Sequence, residues 1–228
     1  LSIRRQRQMC KETACSWVSL SSLLDLFVGD NLLVGTIPSC IGSLTQLEAF
    51  SVTGNLLTGT IPSTISELSS LQILNLSSNQ LIGSIPPSFG SLTSLQQLSL
   101  DNNLLTGCIP DSMFSQHMYE LSVIEVQNNL LSGTLPHFIS TLRYLNRLFV
   151  QSNILVGNLD KVFNGSFQQN LTNVDLSDNQ FTGELPEQLF LSTSLISVSA
   201  VATASMDPSL QVYACLLYTS PSPRDAHE

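Results

Sequence analysis

The chain has 228 residues and a mass of 24.8 kDa, with 43% hydrophobic but only 11% charged residues, against the ~25% charged that soluble domains usually carry. Leucine alone fills 40 positions, which supplies a core and argues against disorder, while no apolar run reaches the ~18–20 residues of a membrane-spanning helix. The net charge of −9 is uneven: Glu12 to Ala214 carries only Arg143, Arg147 and Lys161 against fifteen acidic residues, or −12, a body that repels a phosphate backbone and excludes nucleic acid as a partner.

Residues 1–8 are polar and basic, with no initiating Met and no signal-peptide pattern, so the natural N-terminus is expected to be missing. Trp17 and Leu20 stand 24 residues before Ile41 and Leu44. Residues 1–22 therefore read as an N-terminal cap, or its remnant, with a partial coil.

From residue 23 to 194 the chain repeats. Asn31, Asn55, Asn79, Asn103, Asn129, Asn153 and Asn179 are spaced by 24, 24, 24, 26, 24 and 26 residues. A glycine follows each Asn by four positions (Gly35, Gly59, Gly83, Gly107, Gly133, Gly157, Gly183). Three positions later comes a proline, except where Asp160 stands. In the third copy, Leu71, Leu74 and Leu76 open a short strand with one buried face. Asn79 then ends the strand, where its amide can satisfy backbone groups of adjacent coils. Gly83 permits a positive-φ turn, and Pro86 fixes φ after it. Phe89, Leu92 and Leu95 close the back. One such coil cannot bury its leucines alone, so stacked coils must do it together.

Residues 195–214 read as a degenerate eighth coil, with Thr203 at the Asn position. The last segment, 215–228, leaves the register. Cys215 to Asp225 (CLLYTSPSPRD) resembles one reading frame of a translated sequencing adapter, so Ala214 is expected to be the last authentic residue; an ordinary disordered tail is the alternative. An end face exposed there predicts self-association of the fragment.

The stretch LQILNLSSNQLIGSIP, Leu71 to Pro86, resembles the plant-type leucine-rich repeat LxxLxLxxNxLxGxIP. The resemblance implies an α/β fold class: a horseshoe solenoid with a parallel concave sheet, built from about seven full 24–26-residue repeats plus partial terminal coils. Cys15-Ser16-Trp17 is similar to the Cys-x-Trp of plant-type caps, although the Gly-Val-x-Cys that usually follows is absent.

The family usually binds partners on the outward strand positions of the concave face. Here the central row is Phe27, Ser51, Asn75, Ser99, Glu125, Phe149 and Asp175. Asp25, Ala49, Ile73, Gln97, Val123, Arg147 and Asn173 flank it on one side. Gly29, Thr53, Ser77, Asp101, Gln127, Gln151 and Ser177 flank it on the other. An exposed aromatic makes Phe149 the expected anchor, with Asp101, Glu125, Gln127, Arg147, Gln151 and Asp175 completing the candidate ligand face. The acidic members favour a basic peptide or protein; a solvated face that keeps the solenoid soluble is the competing reading.

No catalytic constellation stands out. His117 and His137 fall on different coils, in back-side connections. Asp175 and Asp178 are a pair any acidic solenoid would contain, and the glycines follow the coil rather than a phosphate-loop pattern. No cofactor is expected, and Cys and His spacing suits no metal. Excluding Cys215, Cys10, Cys15, Cys40 and Cys108 allow three pairings; Cys15 and Cys40 lie almost one coil apart, and Cys108 is expected to be free. Sequons at Asn75, Asn164 and Asn170 lean toward a secretory context.

The resemblance implies noncatalytic recognition of a protein or peptide ligand, with a co-receptor, by a fragment of a receptor-like kinase or receptor-like protein ectodomain at the cell surface. No contact of this segment with a membrane is expected. Alternatives are a secreted inhibitor of a cell-wall hydrolase, similar to polygalacturonase-inhibiting proteins, and an adaptor inside the cell.

Overall fold

The computed structural model describes residues 20–114, 118–164 and 168–200. Cys10, Cys15, Trp17, His117, Thr203 and the segment from Cys215 onward lie outside these residues.

Eight strands of three residues form one parallel sheet in chain order. They are Asp25–Phe27, Ala49–Ser51, Ile73–Asn75, Gln97–Ser99, Val123–Glu125, Arg147–Phe149, Asn173–Asp175 and Ser197–Ser199. Pairing never slips: Phe50 stands opposite Leu74, Leu98 opposite Ile124, and Leu148 opposite Val174. These middle residues point inward and are buried. A slip of one residue would carry every one of them to the wet face, which is why the register is strongly specified. The sheet reaches the eighth coil, where Val198 is buried opposite Val174.

The repeated asparagine closes each strand through its side chain. Asn79 Nδ2 donates to the carbonyl oxygens of Val52 (3.0 Å), Leu76 (3.2 Å) and Ser77 (3.1 Å), while its Oδ1 accepts from Leu57 N at 3.1 Å. Two of these partners belong to its own coil and two to the coil before it. Asn55, Asn103, Asn129, Asn153 and Asn179 make the same bonds and are buried. Asn31 is exposed, and among the described residues its side chain bonds only within its own coil, to Val28 O and Gly29 O.

One regularity was not anticipated from the spacing. The residue before each ladder asparagine takes a left-handed backbone: Asp30, Ser78, Asn102, Asn128, Ser152 and Asp178 have φ between 51° and 54°, and Gly54 has 63°. Asp, Asn, Ser and Gly are the residue types that tolerate this conformation or offset it with local hydrogen bonds. The signal was present in the column, but it is legible only once the turn is known.

Beyond the asparagine the chain crosses a second, narrower sheet on the flank. Ile82–Gly83, Leu104–Cys108, Leu130–Gly133, Ile154–Asn158 and Gln180–Thr182 form a five-stranded parallel sheet, and Val34–Gly35 pairs separately with Leu56–Leu57. Leu57, Leu81, Leu105, Leu131 and Leu155 point inward and are buried. Gly83 turns the chain at φ +78°, and a Cβ there would lie 2.9 Å from Thr60 Cγ2 of the preceding coil.

The back of most coils is a 3-10 helix of four or five residues, such as Ser63–Glu67 or Pro87–Ser91. The repeated proline starts it: Ile65 N donates to Pro62 O at 3.1 Å, and Phe89 N to Pro86 O at 3.1 Å. Where Asp160 replaces the proline, the tight bond shifts by one residue, running from Val162 N to Leu159 O at 3.0 Å. Hydroxyls lace these turns together. Thr64, Ser88, Ser91, Ser94 and Ser112 each donate to a carbonyl 25 residues earlier, so this column of hydroxyls is structural.

Candidate ligand-binding face

The outward positions of the eight-stranded sheet place the expected site residues side by side. Register puts Phe149 between Glu125 of the preceding strand and Asp175 of the following one. Arg147, two residues along the same strand, stands between Val123 and Asn173. Arg147 is exposed, and its guanidinium has no ion-pair partner among the described residues. Gln127 and Gln151 sit on adjacent coils of the neighbouring row, with Asp101 one coil earlier.

Exposure differs from the expectation in a regular way. Ser51, Ser77, Ser99 and Ala49 occupy outward positions yet are buried, Ser99 at 1% exposure. Their side chains are short, so longer neighbours in adjacent coils cover them. Phe149 was expected to be exposed and is half-buried, whereas Phe27, on the first strand, is 63% exposed. The longer side chains of Glu125 and Asp175 on either side are what shield Phe149. Its ring therefore presents a firm, partly desolvated surface rather than a loose side chain.

A polar lattice spans the face. Ser77 Oγ donates to Asp101 Oδ1 of the next coil. Ser99 Oγ donates to Glu125 Oε2 at 2.8 Å and accepts from Gln97 Nε2 at 3.1 Å. Asn102 Nδ2 reaches Asp101 Oδ2 at 2.5 Å, and Asn128 Nδ2 reaches Asn102 Oδ1 at 2.9 Å. Ser177 donates to Asp175 Oδ1 from both its hydroxyl (2.6 Å) and its backbone N–H (3.0 Å). These bonds orient the three carboxylates without neutralising them. Oε1 of Gln127 and Oε1 of Gln151 are buried without a hydrogen-bond partner among the described residues.

The remaining candidates do not join this face. His137 opens the back-side helix His137–Thr141 and stacks at 4.1 Å on Phe138. Cys108 is a free, exposed thiol on the flank sheet, and Cys40 is half-buried on the back. Among the described residues no group of three or more His, Cys, Asp or Glu is arranged to hold a metal ion. Of the three sequon asparagines, Asn170 is exposed, its Nδ2 donating to Arg143 O at 3.0 Å. Asn164 is half-buried. Asn75 is half-buried on the concave face, where its Oδ1 accepts from Ser77 N at 3.1 Å.

Comparison with known proteins agrees with this geometry. Residues 45–105 and 170–191 match the family described as Leucine rich repeat. No curated protein matches the chain. Among solved structures, the Arabidopsis receptor kinase HAESA, in complex with the peptide hormone IDA and the co-receptor SERK1, is 34% identical over 81% of this chain and 30% of its own, with a TM-score of 0.74. The leucine-rich-repeat ectodomain of the receptor kinase SOBIR1 from Arabidopsis thaliana is 32% identical over 56% of this chain and 67% of its own, with a TM-score of 0.50. A plant ice-binding protein is 27% identical over 81% of this chain and 66% of its own, with a TM-score of 0.64. The chain spans about a third or less of the large peptide-hormone receptor chains it matches, from 21% to 36% of their length. The shared repeat, its stacked parallel strands and its asparagine ladder settle the family: the chain belongs to the plant-type leucine-rich-repeat proteins.

Proposed function

We propose that the chain is a recognition module of a receptor-like ectodomain, binding a peptide or protein that carries basic side chains on its concave face. The observation that carries this reading is the placement of half-buried Phe149 between Glu125 and Asp175. A lysine or arginine of the ligand set there meets two oriented carboxylates and an aromatic face, which combines charge-assisted hydrogen bonding with cation–π attraction. Arg147 beside them offers a complementary charge for an acidic side chain or terminus of the same ligand. Asp101 and Gln151 extend the surface on the neighbouring row.

Fold alone does not assign function, and the ice-binding relative shows one solenoid serving another end. The receptor reading draws its support from relatives such as HAESA, whose complex contains a peptide hormone and a co-receptor. By the same analogy the module acts outside the cell and pairs with a co-receptor once ligand is bound. Glycans on Asn170, and on Asn164, would sit away from the concave strands. A glycan on Asn75 would occupy the concave face and block the upstream end of the ligand path.

A peptide-display library panned against the chain tests the reading. Retained peptides are expected to be rich in Lys and Arg and to lose about tenfold or more in affinity to Phe149→Ala, Glu125→Gln or Asp175→Asn, the scale of one interface hot spot. Retained peptides that bind all three variants as well as the parent chain would overturn it.

A further inference from the structure

The flank sheet has two outward rows that the repeat leaves unconstrained: the positions one and three residues after each ladder asparagine. In five of the seven coils the first of these is a large aliphatic residue, namely Leu32, Leu56, Leu104, Leu130 or Ile154. The second row contributes Val34, Ile82 and Val156, separated by Thr58, Thr106 and Ser132. All eight aliphatic side chains are substantially exposed, from 38% at Val156 to 78% at Leu32. The inward positions between them already satisfy the fold, so nothing in the coil itself requires leucine outside.

The rows interlock. Leu56 stands opposite Val34, Leu104 opposite Ile82, Leu130 opposite Thr106, and Ile154 opposite Ser132. Each coil's first-row residue thus lies beside the previous coil's second-row residue, giving aliphatic pairs at Leu56–Val34 and Leu104–Ile82 and an aliphatic beside a hydroxyl at Leu130–Thr106 and Ile154–Ser132. None of the fourteen positions in the two rows is charged, although the chain carries a net charge of −9.

We infer that this flank pairs with the flank of a second copy of the chain, forming a two-fold dimer that leaves both concave faces open. Three observations select a second copy as the occupant. At about half exposure each, the eight side chains present on the order of 700 Å² of apolar surface, above the ~300–600 Å² of a typical monomer's largest patch and near the ~800 Å² that one partner contributes to a standard interface. Two-fold, antiparallel pairing would also set the first row of one copy against the second row of the other, so the aliphatic side chains meet only uncharged partners, as an isologous contact permits. Finally, the concave face carries Asp25, Asp101, Glu125 and Asp175, and the back carries Glu67, Asp111, Glu120 and Glu187. Two acidic copies that met through either face would bring like charges together, whereas the flank lets them approach without local repulsion.

Light scattering on size-separated protein, over a concentration series, tests this inference. The chain is expected to reach a mass near twice 24.8 kDa and to stop there at about 0.1 mM, where even a Kd near 10 µM leaves most chains paired. The double variant Leu104→Glu, Leu130→Glu should weaken pairing by about 100-fold or more and run as a monomer, because each new carboxylate would be buried unpaired. Its far-ultraviolet circular dichroism should stay that of the parent, as should its melting temperature at concentrations where the parent is monomeric. Tyr144→Glu, an exposed position on the back, should leave the dimer intact. A monomeric parent at 0.1 mM would overturn the inference. So would a dimer that survives the double variant, or a mass that keeps rising with concentration, since contacts between coil ends are open-ended while a two-fold contact closes.

Discussion

The two sheets are built from the same coils and obey the same alternation, yet their outward rows differ in kind. On the concave sheet most outward side chains are polar or charged, and several are bonded across coils, as in Ser99 to Glu125 and Ser77 to Asp101. On the flank sheet they are mostly aliphatic and uncharged, and stand in solvent. Inward positions are nearly identical in both: leucine, isoleucine or valine packed into one continuous core. The difference teaches where the repeat exerts its constraint. Stacking dictates the inward column, and the outward columns are left for function.

The sharpest test of that contrast lies within each sheet. Leu148→Ala should cost ~2–5 kcal/mol in urea unfolding, because a fully buried side chain leaves a cavity. Phe149→Ala, on the same strand but half-buried, should cost less than about half of that. On the flank, Leu105→Ala should match Leu148→Ala, and Leu104→Ala should fall within about 0.5 kcal/mol of the parent at concentrations where the chain is monomeric. Equal losses for inward and outward neighbours would erase the distinction.

Next in size is the ladder. Asn79→Ala leaves the buried N–H of Leu57 without its acceptor and removes one of two donors from the carbonyls of Val52, Leu76 and Ser77, so a loss of about 1–3 kcal/mol is expected. Asn31→Ala, at an exposed side chain that among the described residues bonds only within its own coil, should cost about 0.5 kcal/mol. The same residue type at the same repeat position would then differ several-fold in worth, measured by paired denaturation curves. An equal loss at both sites would mean that the bonds across coils add little.

The smallest effect separates two causes at one turn. Gly83→Ala should destabilise by about 1–2 kcal/mol through its positive φ, with a further contribution from Thr60 Cγ2. Thr60→Ser removes that methyl group, so the double variant should recover the steric part and retain the backbone part. Full recovery would show that the left-handed conformation costs nothing here.

Much of this architecture was legible in the chain. The spacing of Asn31 through Asn179, with glycine four residues on and proline seven, located every coil, because a 24–26-residue period leaves a stacked solenoid as the way to bury so many leucines. The same count placed Phe149 beside Glu125 and Asp175, since register in a solenoid follows directly from the period. It also put Leu148 inside, where it is fully buried.

What a side chain meets across the stack was decided only by the tertiary structure. Ser99 is outward by periodicity yet 1% exposed, since neighbouring coils supply the cover. Phe149 and Phe27 hold the same repeat position and differ in exposure: Phe149 stands between the longer side chains of Glu125 and Asp175, whereas Phe27 is paired with the short Ser51. The left-handed turn before each asparagine, the hydroxyl column on the back and the staggered leucines of the flank likewise emerge only when coils stack. A repeat period fixes which residues face inward, a property of each coil. Burial and hydrogen bonding belong to pairs of coils, and they depend on distances that one-dimensional spacing does not contain.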